Sequence, residues 1–283
     1  MINNNKLYAK KECKMRIGAI SDLHIDRHPK LTAQYYLDSL VDVVSKRNIE
    51  LLVIAGDISN DYRQVIQFIN DLKEVLNIPV LFVPGNHDLW SDGTDKSSQD
   101  ILDIYTQQDA CLIKHPYIIN DDWAIVGHTG WYDYSFANDK FSLEKLERGK
   151  HYGATWQDKV RMDCDMTDKD LSLQAAQQVE ADLKQVGTRK IILVTHIVTH
   201  PAFVVPTPHR IFDFFNAYIG TKDFNYIYET NNIQYSIMGH VHFRKTLVEK
   251  GISYLCPCLG YQRQWRTDDI SQEMNHALMD FII

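Results

Sequence analysis

Apolar residues along this chain gather in short unbroken runs, and between the runs they recur every three or four positions. Residues 16–21, RIGAIS, form a run of the kind a strand buried on both faces requires. Residues 31–46 follow with Leu37, Leu40, Val41 and Val44 on one helical face. The unit repeats: LLVIAG from Leu51 predicts a second strand, residues 65–76 a second helix, and VLFVPG from Val80 a third strand. Such alternation predicts an α/β fold with a parallel sheet and right-handed crossovers, and sheets of that kind bind ligands beyond the carboxyl ends of their strands. Asp22, Asp57 and Asn86 all fall at that edge.

The later pattern is less even. A helix is expected over residues 98–107, then short apolar segments near Cys111, Tyr117 and residues 123–127. Residues 131–170 are aromatic, charged and weakly periodic, as in WYDYSF and HYGATWQDK, and read as an insertion over the site. A helix over 171–186, the strand IILVTH ending at His196 and a polar, aromatic helical segment over 212–231 come next. The strands YSIMGH, KTLVEK and ISYLC, with ALMDFII at the end, are expected to complete a second sheet.

Composition narrows the function. With 283 residues, 45% of them hydrophobic, and no Pro/Gly/Ser-rich linker, the chain buries a large core as one domain. A net charge of -7 repels polyanions, so any phosphate must be held locally rather than by a basic surface. Five scattered cysteines argue against a disulfide framework, and Cys256 and Cys258 are expected to be buried small side chains. Residues 1–14 lack the apolar core of a signal peptide and no later run is long enough to span a bilayer, so the expectation is a disordered leader, a domain over 15–283, no membrane and a cytoplasmic setting.

The chemistry lies in five short motifs at predicted strand ends: Asp22-Leu-His24, Gly56-Asp57, Gly85-Asn86-His87-Asp88, Thr195-His196 and Gly239-His240-Val241-His242. An Asp-x-His pair on an extended segment puts both side chains on one face, and glycines at 56, 85 and 239 permit sharp turns at strand ends. Carboxylates and imidazoles suit borderline divalent ions such as Mn, Fe, Co or Zn better than Ca.

In order, residue type and strand context, these motifs resemble the calcineurin-like metallophosphoesterase family over about residues 15–260. The resemblance implies a four-layer α/β/β/α sandwich of two mixed sheets with a dinuclear metal site at the carboxyl edge of the strands. It further implies that Asp22, His24 and His242 hold one ion, that Asn86, His196 and His240 hold the other, and that Asp57 bridges them. The expected reaction is hydrolysis of a phosphate ester, a phosphodiester by preference, through attack of a metal-bridging hydroxide.

His87, beside a ligand without being assigned as one, is the candidate general acid. Many relatives orient this histidine with an aspartate in a GDxxD pattern, but here that position is Asn60, which accepts a hydrogen bond without stabilising an imidazolium as a carboxylate does, so either Asp61 or Asp88 substitutes or the acid role is weaker. His200, His128, the aromatics Trp131, Tyr132 and Tyr134, and the cations Arg161, Arg210, Arg244 and Lys245 are secondary candidates around the substrate. The expected partner is a small phosphorylated substrate, with nucleic acid entering only as a substrate. The alternatives are a nuclease of the same family and a non-catalytic interaction scaffold on the same fold. A generic metal-dependent amidase would show an HxHxDH block, which is absent.

Overall fold

A computed structural model describes residues 14–283. The first half alternates as the pattern predicts: β1 (Arg16–Ile20), α1 (Ala33–Lys46), β2 (Leu51–Ala55), α2 (Tyr62–Leu76) and β3 (Val80–Val83). After α3 (Ser98–Thr106) come β4 (Tyr117–Ile118) and β5 (Trp123–His128). The 131–170 segment contains only short pieces: α4 (Leu143–Glu147), the hairpin β6 (Lys150–His151) and β7 (Ala154–Thr155), and α5 (Asp158–Arg161). The remainder is α6 (Asp168–Val186), β8 (Lys190–Thr195), α7 (Phe212–Phe215), α8 (Asn225–Thr230), β9 (Ile233–Ile237), β10 (Arg244–Glu249), β11 (Ile252–Pro257), α9 (Ile270–Ala277) and β12 (Met279–Ile282).

Two mixed sheets result, one ordered β12-β1-β2-β3 and the other β10-β11-β9-β8-β5-β4. Strand β2 shows why they stack. Its sequence LLVIA is apolar at every position because Leu51, Val53 and Ala55 face the second sheet, while Leu52 and Ile54 face the helices. Between the sheets, Ile17, Val53 and Val83 meet Ile125, Ile192 and Val194. Outside the first sheet lie α1, α2 and α9, through Leu40, Phe68 and Met274; outside the second lie α6 and α8, through Val179 and Ile227. The four-layer α/β/β/α sandwich is therefore present.

Helix starts follow capping chemistry. Asp61 accepts from the Arg63 N–H at the head of α2, Ser97 and Asp100 form a reciprocal capping box on α3, and Thr167 caps α6. Asp61 is thereby engaged away from His87.

Two expectations need correction. The last strand joins the first sheet, not the second: β12 pairs antiparallel with β1, Arg16 opposite Ile282, and Asp280 accepts from Arg16 and Arg47. A hydrophobic pattern gives a strand but not its neighbour; here Phe281 and Ile283 pack against the inter-sheet core while Asp280 meets the two arginines. The helical stretch over 212–231 is also broken, because the backbone around Gly220 pairs with Val198 instead of continuing a helix. Residues 1–13, most of the expected leader, lie outside the described residues. Among the described residues, no helix is long and apolar enough to cross a membrane.

Candidate metal centre

The parallel strands β1, β2 and β3 of one sheet and β8 and β9 of the other all point their carboxyl ends at one place. Backbone bonds stitch the loops there: Asp22 N–H to Gly56 O at 2.9 Å, His24 N–H to Asp57 O at 3.0 Å, and Gly239 N–H to His196 O at 2.9 Å. The Asp22 carboxylate accepts from the His240 N–H at 3.0 Å, which ties the first sheet to the second. A side chain at Gly239 would put its Cβ 2.1 Å from Ser21 Oγ, and one at Gly85 would sit 2.2 Å from Asp57 Oδ1, so both glycines are dictated by close approach.

The extended Asp-x-His geometry is not what aims these side chains. Asp22 (φ 56°), His24 (φ 45°), Asp57 (φ 56°), His240 (φ 74°) and His242 (φ 55°) all adopt left-handed backbone, which costs non-glycine residues about 1 kcal/mol or more each. The surrounding hydrogen bonds hold the chain in these turns, and each turn swings a donor atom inward.

All seven predicted side chains converge. Asp22, His24, Asp57 and His242 form one group and Asp57, His196 and His240 a second, each with ligand atoms within 4.8 Å of one another. Asn86 completes the second, its Oδ1 lying 3.0 Å from His196 Nε2 and 2.9 Å from His240 Nδ1. Asp57 is common to both.

Bonds on the far side of each ring set which nitrogen is bare. His196 Nδ1 donates to Ala55 O at 2.8 Å, His240 Nε2 to Tyr218 O at 3.0 Å, and His242 Nδ1 to Gln264 Oε1 at 3.0 Å. Their remaining nitrogens therefore turn lone pairs toward carboxylate and amide oxygens, an arrangement that only a positive charge relieves. Asp57 Oδ2 is buried and accepts no hydrogen bond. Burial disfavours an imidazolium at His196, yet Asp57 and then Asp22 lift its pKa to about 10, so the cluster draws positive charge to Nε2. A divalent cation competes for the same lone pair with twice the charge. The donor set fits two such ions.

A family model described as calcineurin-like phosphoesterase matches residues 15–244. This chain belongs to that family. It is a metal-dependent phosphoric ester hydrolase. The [acyl-carrier-protein] phosphodiesterase PptH of Mycobacterium tuberculosis is 25% identical over 267 residues, covering 88% of this chain and 79% of the relative. The crystal structure of phosphopantetheinyl hydrolase (PptH) from the same organism superposes with a TM-score of 0.70 at 21% identity, covering 89% and 92% of the two chains. A dimetal phosphatase from Danio rerio shares the fold at a TM-score of 0.53 and 15% identity, with 86% of each chain covered.

His87 sits on the rim of this phosphoesterase centre, its Nε2 4.0 Å from Asp57 Oδ2. Its Nδ1 meets Asn60 Oδ1 at 2.8 Å, so Asn60 is the orienting group. Asp88 is spent elsewhere, accepting from the Ile58, Ser59 and Gly85 N–H groups at 2.7–2.9 Å and clamping two site loops together. Burial, only partly opposed by Asp57, pushes the His87 pKa down to about 4, and burial likewise pushes His240 to about 3. His87 is thus neutral at pH 7, with Nδ1–H toward Asn60 and a bare Nε2 toward the cluster.

The centre opens into a cavity of about 760 Å³. Trp90, Trp156, Phe212, Phe215 and Tyr261 supply its aromatic wall, with Arg27 and Arg263 also lining it. The secondary candidates lie elsewhere. Trp131, Tyr132 and Tyr134 are buried in the core, His200 caps a 3-10 turn by accepting from Ala202 N–H, and His128 borders a separate small cavity. Arg161 pairs with Asp92 and Arg244 with Glu273, Arg210 lies over Tyr152, and Lys245 donates to Ala202 O. Sequence reasoning missed Trp90, Trp156 and both cavity arginines, because a lone aromatic or cation has no motif around it.

Proposed function

We propose that this protein is a phosphodiesterase that holds one divalent ion on Asp22, His24 and His242 and another on Asn86, His196 and His240, with Asp57 shared. The observation that carries this reading is the convergence of bare nitrogens and the unpartnered Asp57 Oδ2 on the floor of the cavity. When bound, the two ions supply Lewis acidity toward the phosphoryl group and a nucleophile at neutral pH. The protein's own residues position the ester and handle the proton. Arg27 and Arg263 have no carboxylate within ion-pair distance among the described residues, which leaves their guanidiniums available to substrate oxygens. His87 delivers a proton to the leaving oxygen once an anionic phosphoryl group stabilises its imidazolium, while Asn60 keeps Nδ1–H pointed away.

A diester is favoured over a monoester because the cavity falls within the range, roughly 300–1,000 Å³, that encloses whole ligands, with room for both substituents. The kinship to an acyl-carrier-protein phosphodiesterase widens the expected small substrate to a phosphopantetheinyl protein, whose long uncharged arm suits the aromatic wall formed by Trp156, Phe212 and Phe215. Manganese-loaded protein should hydrolyse bis-p-nitrophenyl phosphate faster than p-nitrophenyl phosphate, and should release the prosthetic arm from a phosphopantetheinylated carrier protein, seen as a mass loss. Faster monoester turnover with an intact carrier protein contradicts the reading.

A further inference from the structure

Asp158 lies 72 residues from Asn86, in the 131–170 segment, and is almost fully buried, at 3% exposure. Four side-chain donors converge on its carboxylate: Asn86 Nδ2 at 2.8 Å and Trp90 Nε1 at 2.7 Å on Oδ1, and Trp156 Nε1 at 2.8 Å and Tyr132 Oη at 3.2 Å on Oδ2. A carboxylate of this kind only accepts, so the Asn86 amide must turn its NH2 group to Asp158 and its oxygen to His196 and His240. The same carboxylate sets two cavity tryptophans, of which Trp90 lies against the His87 ring at 3.7 Å between centroids.

We propose that Asp158 is a positioning residue for the second metal subsite, fixing which atom Asn86 presents and joining that choice to the two tryptophans of the cavity wall. The proposal rests on the reading of Asn86 as a metal ligand. An amide at position 158 offers its own NH2 to one side of the network, so it no longer enforces the orientation of Asn86. The loss falls on one ion, since Asp22, His24 and His242 have no bond to Asp158.

The test is calorimetric titration of metal-free protein with Mn²⁺, supported by thermal unfolding to confirm that each variant folds. Wild type should bind two ions. Asp158→Asn should weaken the second by roughly 10–100-fold and leave the first unchanged, the range seen when an outer partner of a ligand is removed. Tyr132→Phe removes a donor from the same carboxylate without touching Asn86, and should leave both ions as in wild type. The decisive variant is the exchange Asn86→Asp with Asp158→Asn. Its new carboxylate at position 86 presents oxygen to the cluster in either orientation and accepts from the new amide, so second-ion affinity should return to within a few-fold of wild type. Two wild-type affinities in Asp158→Asn, or equal weakening of both ions, overturns the proposal. So does an exchange variant no better than the single one. A wild type that binds fewer than two ions instead overturns the underlying assignment of Asn86.

Discussion

Two regions meet across the cavity and are built on opposite principles. The strand-end loops hold their side chains by backbone: left-handed turns at five of the seven cluster residues, with main-chain bonds joining the loops at Asp22 and Gly56, His24 and Asp57, and His196 and Gly239. The opposite wall, built from the 131–170 segment and α7, has no strand longer than two residues, holds Trp156 through a bond to a buried carboxylate and adds Phe212 and Phe215 to the cavity lining. One region carries a cluster of lone pairs suited to metal chemistry. The other supplies apolar wall. The division suggests that catalysis and substrate choice can be disturbed separately.

Asp57→Asn breaks the first region at its centre. Outer partners of metal ligands already cost about 10–100-fold when removed, so loss of the shared carboxylate should cost more than about 100-fold in kcat and should lower the bound metal measured by elemental analysis. Full activity with two ions would separate Asp57 from the chemistry. Phe212→Ala strikes the second region. It should raise KM by about 10-fold with kcat nearly unchanged, the effect of losing roughly 1–1.5 kcal/mol of aromatic contact. An equal fall in kcat would mean that the two regions are not separable.

Asn60→Asp sits at the junction. A carboxylate facing Nδ1 stabilises the imidazolium of His87, now held at about 4, so the alkaline limb of the kcat profile should move up by about one pH unit. An unmoved limb would show that His87 does not govern it.

His128, remote from the cavity, should affect stability and leave activity alone. Burial, with Lys114 adding to it, lowers its pKa to about 4. Below pH 6.5 the unfolded chain takes up a proton that the folded chain resists, so this residue lowers stability progressively as pH falls from about 6.5 to about 4. His128→Gln should remove roughly 1–2 kcal/mol of that decline in denaturant melts across the range.

The same contrast explains what could be read from the chain. β1, β2 and β3 were legible because strands buried on both faces are apolar at nearly every position, and the candidate ligand cluster was legible because its members lie at or just beyond the ends of such runs. The turn geometry was not, since left-handed φ at Asp22 or His242 has no compositional mark when the residue is not glycine. Nor was Asp158, whose importance comes from four donors spread between residues 86 and 156. The pairing of β12 with β1 escaped for a related reason: Asp280 meets Arg16 and Arg47 only after the chain has closed on itself.

Anomalous diffraction from crystals soaked in Mn²⁺ tests the central claim most directly. Two peaks about 3.5–4 Å apart, with Asp57 between them, Asp22, His24 and His242 on one and Asn86, His196 and His240 on the other, is the predicted result. A single peak, or peaks with Asp57 bound to neither, would contradict it.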